Sequence, residues 1–263
     1  MNRMNELVAD RLEGRVAILT LDAPEKMNAI SVEMREALIV ALQRRFLDDE
    51  CSAIVLTGAG GNFSSGGDIK GERPAPEALA RTMRHKLGRL QEMVRLVMSS
   101  PKPMIAAVEG KTFGAGMSLA VACDVVVASE SAQFCAAFGR VGLLPDAGIL
   151  YTLPRRVGAA RAQQLLLSAR SVEAPEAREI GLVDHVVPAT DLLSRACTEA
   201  QQMASIAPLA FAAIKSLGSG GCATLEDAFA EEMRLQPMLA MTHDYSEART
   251  AFAEKRKPQY RGC

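Results

Sequence analysis

A single carboxylate, Asp146, stands in "RVGLLPDAGILYTLPRRVG" (residues 140–158), between Pro145 and Ala147. Val141, Leu143 and Leu144 precede it, and Ile149, Leu150 and Leu153 follow. A Pro-Asp pair ordinarily makes a turn or caps a helix. An acid among apolar neighbours has a second use, because desolvation raises a carboxyl pKa toward that of a working general base. Two glycine-rich stretches offer a matching chemistry. "TGAGGNFSSGGDI" (57–69) and "EGKTFGAGMSLA" (109–120) follow the apolar runs "AIVL" and "MIAAV". Glycine turns that leave strands aim backbone N–H groups at an anion or an oxygen. Gly114-Ala115-Gly116 also opens an apolar helix, whose first-turn amides and dipole add to that attraction.

Other chemistries fail on spacing. A P-loop would need glycine where Ile105 stands, five residues before Gly110-Lys111-Thr112. Gly58-Ala59-Gly60 is followed by Phe63 where a dinucleotide fingerprint requires a third glycine. Ser118 in "GMSLA" approaches a nucleophile elbow, but Ala120 breaks it. Two tight turns without function remain open on spacing alone.

The elements that must carry these residues follow an α/β rhythm. "LVADRLEGRVAILTLDAP" holds two β-like runs around Glu13-Gly14, a hairpin signal. Ser31 is an expected N-cap, followed at helical spacing by Met34, Ala37, Leu38, Ala41 and Leu42. "CSAIVL" is a buried strand, and the charged stretch around 70–86 is expected to be a surface excursion. Leu87, Leu90, Val94 and Val97 then mark an amphipathic helix that ends before "SSPKP". "PMIAAVEGKTFGAGMSLAVACDVVVAS" reads strand, glycine loop, apolar helix, strand. Repetition of that order implies parallel strands. From about 190 onward the pattern is helical only, and a break is expected near Pro208, giving a core over 1–205 and a helical subdomain over 206–263.

Composition narrows the function. The chain has 263 residues, 49% of them hydrophobic, and a formal net charge of −1, which argues against nucleic-acid or membrane-surface binding driven by bulk charge. No apolar run approaches the roughly 20 residues of a membrane span, and "MNRMNELVADRLEGRV" lacks a secretory apolar stretch. The six cysteines show no CxxC spacing, and His85, His185 and His243 form no cluster with them. A cytoplasmic, metal-free protein with reduced thiols is expected.

Taken in order along the chain, "DAPEKMNAI", "NFSSGGDIK", "PMIAAVEGKTFGAGMSLAVACDVVVAS", "AREIGLVDHVVP" and "AFAEKRKPQYRG" resemble the crotonase (enoyl-CoA hydratase/isomerase) superfamily over nearly the whole length. The resemblance implies a spiral of repeated ββα units with a C-terminal helical part, and a homotrimer or a dimer of trimers. It implies an acyl-coenzyme A thioester as substrate, with coenzyme A bound only as part of it. The backbone N–H groups of Ser65 and Ala115 would form an oxyanion hole for the thioester carbonyl. Two preorganised amides at a developing oxyanion contribute roughly 3 kcal/mol each. Lys26, Ala29 and Ile69 match positions that line the nucleotide end. Ser64, Gly67 and Asp68 belong to the same binding segment, with Asp68 also pinning its loop. Lys70 and Arg73 are candidates for the phosphates, or are simply solvated. Phe252 and Lys255 resemble residues that close the site from the C-terminal part, although ordinary helix packing explains their spacing equally.

The chain departs from the hydratase pattern at two positions. Hydratases of the family hold water between two glutamates, and those places are taken here by Ser118 and Phe138. Asp146 instead occupies the place of the acid in members that shift double bonds. The stretch around it resembles ring-epoxide/oxepin and Δ3-Δ2 enoyl-CoA isomerases. The expected activity is therefore isomerisation with Asp146 as the only base. A hydratase that recruits Glu109 or Glu130, and a non-catalytic coenzyme A binder, are the alternatives.

Overall fold

A computed structural model describes residues 7–68, 75–218, 220 and 222–263. Strands β1 (Val8–Glu13) and β2 (Val16–Leu21) pair antiparallel through a turn at Gly14, where φ is +58°. From β2 the sheet continues in parallel through β3 (Ala53–Gly58), β4 (Met104–Val108), β6 (Val125–Ser129) and β9 (His185–Val187), in the order β1-β2-β3-β4-β6-β9. Buried on both faces, β4 is apolar at every position, as a central parallel strand must be. A smaller sheet is built from β5 (Lys111–Phe113), β7 (Gln133–Cys135) and β8 (Ser171–Glu173).

Two strands and a helix recur along the chain: β1, β2 and α1 (Val32–Phe46), then β4, β5 and α3 (Ala115–Val121). Ser31 Oγ accepts the Met34 N–H at 3.1 Å and starts α1 as its N-cap. Helix α2 (Pro76–Met98) begins well before its apolar stripe, so 76–86 lies at the surface as expected but is helical. Pro76 at the first helical position, followed by the helix formers Glu77, Ala78, Leu79 and Ala80, explains the early start.

Alternation along the strands divides the core between the two sheet faces. Met104, Ala106 and Val108 face the larger layer with α1, α2, α3 and α4 (Ile149–Val157). Ile105 and Ala107 face α7 (Leu192–Met203), which covers the other side with Leu192, Ala196 and Ala200. Helices α5 (Ala159–Ser168) and α6 (Ala174–Glu179) lie between these blocks in sequence. The chain ends in α8 (Pro208–Gly218), α9 (Leu225–Ala240) and α10 (His243–Ala253). The mixed α/β architecture and helical C-terminal region agree with the sequence reading.

Candidate active site

Three segments meet at the carboxyl ends of β3 and β4, and buried polar side chains hold them in place. A short 3-10 turn, Pro24–Lys26, leads into Met27 and Asn28, both left-handed at φ +50° and +52°. Asn28 is fully buried, and its amide spends all its strong bonds on backbone. Oδ1 accepts the Ala23 N–H at 2.9 Å, while Nδ2 donates to the carbonyls of Ala59 and Asn62 at 2.8 and 2.7 Å. This stitches the N-terminal turn to the first glycine loop. In the sequence Asn28 carries only a weak local signal, the tolerance of asparagine for the left-handed region.

Ser64 is fully buried, donating from Oγ to the Asn28 carbonyl at 2.8 Å and accepting the Gly66 N–H at 3.2 Å. Its backbone bonds to Lys111 and Phe113. A ligand finds no polar group left on Ser64, so its expected contact with coenzyme A is corrected to a structural bracket. The oxyanion assignment of Ser65 is corrected too. Its N–H donates to the Met27 carbonyl at 2.8 Å, and its Oγ to the Lys26 carbonyl at 3.2 Å. The next amide, Gly66, is held by Ser64 Oγ. Gly67 N–H has no acceptor among the described residues, and Gly67 is exposed.

The second loop supplies its amide through the start of α3. The first bond within this helix runs from Ser118 N–H to the Gly114 carbonyl at 3.0 Å, so the amides of Ala115, Gly116 and Met117 have no partner within it. Close packing brings the two loops together. A Cβ on Gly116 would lie 2.7 Å from both Cβ and the carbonyl oxygen of Ser64. At Gly66, where φ is +96°, it would lie 2.7 Å from the Phe113 carbonyl and 3.4 Å from the Ala115 nitrogen. The Ala115 nitrogen thus lies close to Gly66, and Gly67 is the next residue along that loop.

Asp146 lies on the turn before α4 and is partly exposed. Two left-handed residues, Ala147 at φ +51° and Gly148 at φ +75°, separate it from the helix. Its Oδ1 is buried and has no hydrogen-bond partner among the described residues. Burial pushes its pKa up to about 6. Ser118 Oγ lies 3.1 Å from the Asp146 carbonyl oxygen, which ties this turn to α3. Phe138 is buried, and its carbonyl accepts the Leu143 N–H at 3.1 Å. The wall on this side thus carries one acid and no second carboxylate at positions 118 or 138.

The remaining expected contacts divide. Lys26 is exposed and Ala29 partly exposed, both on the turn that Ser65 grips. Asp68 is exposed at the end of the first loop. Ile69, Lys70 and Arg73 lie outside the described residues. Phe252 is 88% exposed at the end of α10 and Lys255 is exposed beyond it, so packing within the chain does not account for them. A cavity of about 470 Å³ opens at the opposite ends of α3 and α4, away from this chemistry. Its charged groups serve the fold: Lys215 Nζ pairs with Asp124 at 2.7 Å, and Arg156 binds the Cys123 carbonyl at 2.8 Å.

Amides on two interlocked loops and a carboxyl whose buried oxygen lacks a partner among the described residues are groups of the kind that stabilise an enolate and move a proton. Comparison with known proteins agrees with that class. Residues 11–262 match the family Enoyl-CoA hydratase/isomerase, and the chain belongs to it. It is 40% identical over 94% of its length, and 95% of the relative's, to a Rhodobacter capsulatus protein named "Probable enoyl-CoA hydratase". It is 34% identical to the Escherichia coli 1,2-epoxyphenylacetyl-CoA isomerase, over 98% of this chain and 100% of that one. Among solved structures, an enoyl-CoA hydratase from Polaromonas sp. JS666 superposes with a TM-score of 0.89 at 36% identity, covering 96% of this chain and 99% of that one.

Proposed function

We propose that this enzyme isomerises an acyl-coenzyme A thioester, shifting a double bond or rearranging a ring next to the carbonyl, with Asp146 as its only acid–base group. The observation that carries this reading is the buried, unpartnered Oδ1 of Asp146. A carboxylate without a hydrogen bond is poorly stabilised and is ready to take a proton. In a 3-enoyl thioester Asp146 removes a proton from the α-carbon. Negative charge moves onto the thioester oxygen, where the Gly67 and Ala115 amides stabilise it as a dienolate. The same carboxyl, now protonated, returns the proton at the γ-carbon. Water is neither added nor lost, so one acid suffices.

Coenzyme A enters as part of the thioester, and no resident cofactor or metal is invoked. Its nucleotide end would rest on the turn of Lys26 and Ala29 and on the segment of Gly67, Asp68 and Ile69. Phe252 and Lys255, bare on one chain, would close the site in a neighbouring copy of a homotrimer or hexamer. Six free cysteines fit a cytoplasmic setting.

Hydration of a 2-enoyl thioester is the second reading, favoured by the name of the Rhodobacter relative. It needs a second acid, and Glu130 is exposed while Glu109 is only partly so. Product analysis separates the two. Incubated with 3-enoyl-CoA, the enzyme should yield 2-enoyl-CoA of unchanged mass, and Asp146→Asn should lose about 100- to 10,000-fold in kcat. A product heavier by one water from 2-enoyl-CoA, or undiminished isomerisation by Asp146→Asn, would refute the proposal.

A further inference from the structure

Helix α3 reads "AGMSLAV" and is buried throughout, yet it carries one hydroxyl, that of Ser118. A buried hydroxyl needs a partner. The helical carbonyl four residues back, Gly114, lies 3.3 Å from Oγ and already accepts the Ser118 N–H. The closer acceptor is the Asp146 carbonyl at 3.1 Å. That carbonyl also takes the Ile149 N–H at 3.2 Å, so the Asp146 backbone is held from α3 on one side and from the start of α4 on the other. The carboxyl group itself has no such anchor at its buried oxygen. Its position is therefore inherited from the backbone. The next residue, Ala147, is left-handed at φ +51°, a conformation that costs energy in a residue with a Cβ and must be held by its surroundings. Ser118 also sits about one helical turn below Ala115, whose N–H has no partner within α3.

We propose that Ser118 is a positioning residue, whose hydroxyl locks the Asp146 turn onto α3 and so sets the reach of the base to a carbonyl held at that helix's N-terminus. This rests on the reading of Asp146 as the base. The hydroxyl does not touch substrate. It keeps the base and the oxyanion donor on one rigid element, where a displacement of about 1 Å can cost 100-fold in rate.

Three variants and one control test it. Ser118→Thr and Ser118→Val add almost the same volume and differ in the hydroxyl alone, while Ser118→Ala removes the hydroxyl without adding bulk. Ser118→Ala and Ser118→Val should lose about 10- to 100-fold in kcat with KM within about threefold of wild type. Ser118→Thr should recover most of that loss. In Ser118→Ala the acidic limb of the kcat–pH profile should also slide downward from about 6, because a released turn admits water to Oδ1. A general loss of folded enzyme would lower the amplitude and leave the limb in place. Unchanged kcat in Ser118→Ala, equal losses in Thr and Val, or an unmoved limb overturns the positioning role. If the two larger variants fail to fold, the Ala variant decides by kcat and limb together. Asp146→Asn is measured alongside. If it stays active, the base assignment falls. If it is inactive while Ser118→Ala is unimpaired, only the positioning role falls.

Discussion

Asp146 loses the hydration that a carboxylate prefers and gains no hydrogen bond at Oδ1 in return, which is why its pKa rises to about 6. Activity should therefore follow ionisation of this group. A kcat–pH profile is expected to climb through about pH 6 to a plateau, and a limb near 4 would show that the carboxyl is solvated in the working enzyme. Stability should move in the opposite sense. With a folded pKa above the unfolded value, the contribution of Asp146 is most favourable below about pH 4 and is lost as pH rises through about 6. Asp146→Asn removes that loss. Discounted for the solvent that still reaches the group, the gain at pH 8 is about 1 kcal/mol, or about 2–4 °C in Tm. Melts at pH 8 and pH 4.5 test this: the advantage of the variant should shrink or vanish at the lower pH. "NFSSGGDI" shows that amides are presented, but not that Met27, far upstream, consumes the one on Ser65.

The two glycine loops work as elements only because they interlock. Gly66 lies so close to the Phe113 carbonyl that a methyl group there forces the loops apart, and its φ of +96° is unfavourable for any other residue. Gly67, one position on, would meet nothing within 4 Å. Gly66→Ala should therefore reduce kcat by about 100-fold or more by spoiling the wall, whereas Gly67→Ala keeps its N–H and should stay within about tenfold of wild type. Steady-state kinetics on both variants decide the matter, and equal behaviour would argue against the interlocking of the loops at Gly66. The strand–loop–helix order was legible in the sequence because glycine clusters and apolar runs are local signals. The early start of α2 was not, because charged side chains on a solvated helical face look like those on a loop.

Across the whole molecule, the sheet is covered on both faces while the C-terminal helices are not. Helix α9 has no buried residue, and Leu225, Phe229 and Met233 recur at a spacing of four with Met233 77% exposed. Such a stripe on an amphipathic helix is the usual sign of a covering partner. We expect a homotrimer or hexamer by light scattering, and a lower assembly state with reduced activity for Phe229→Glu combined with Met233→Glu. A wild-type monomer with full activity would contradict this. Assembly would also explain why Phe252, a large apolar side chain, stands in solvent on the isolated chain. Among the described residues, no helix is long and apolar enough to cross a membrane.

Residue type and local spacing alone made legible the α/β class, the two glycine loops, the Ser31 cap and the Pro-Asp turn of Asp146, but not that Val141, Leu143, Leu144 and Leu150 beside it stay exposed. Each legible feature depends on residue type and on spacing within a few turns or strands. Only the folded chain shows that the Ser65 amide is taken by the Met27 carbonyl, that Asn28 and Ser64 spend their side chains on backbone groups, and that the Ser118 hydroxyl reaches the Asp146 carbonyl. Those outcomes depend on hydrogen bonds between residues far apart in the chain, where a donor's fate is set by whichever carbonyl the fold brings to it.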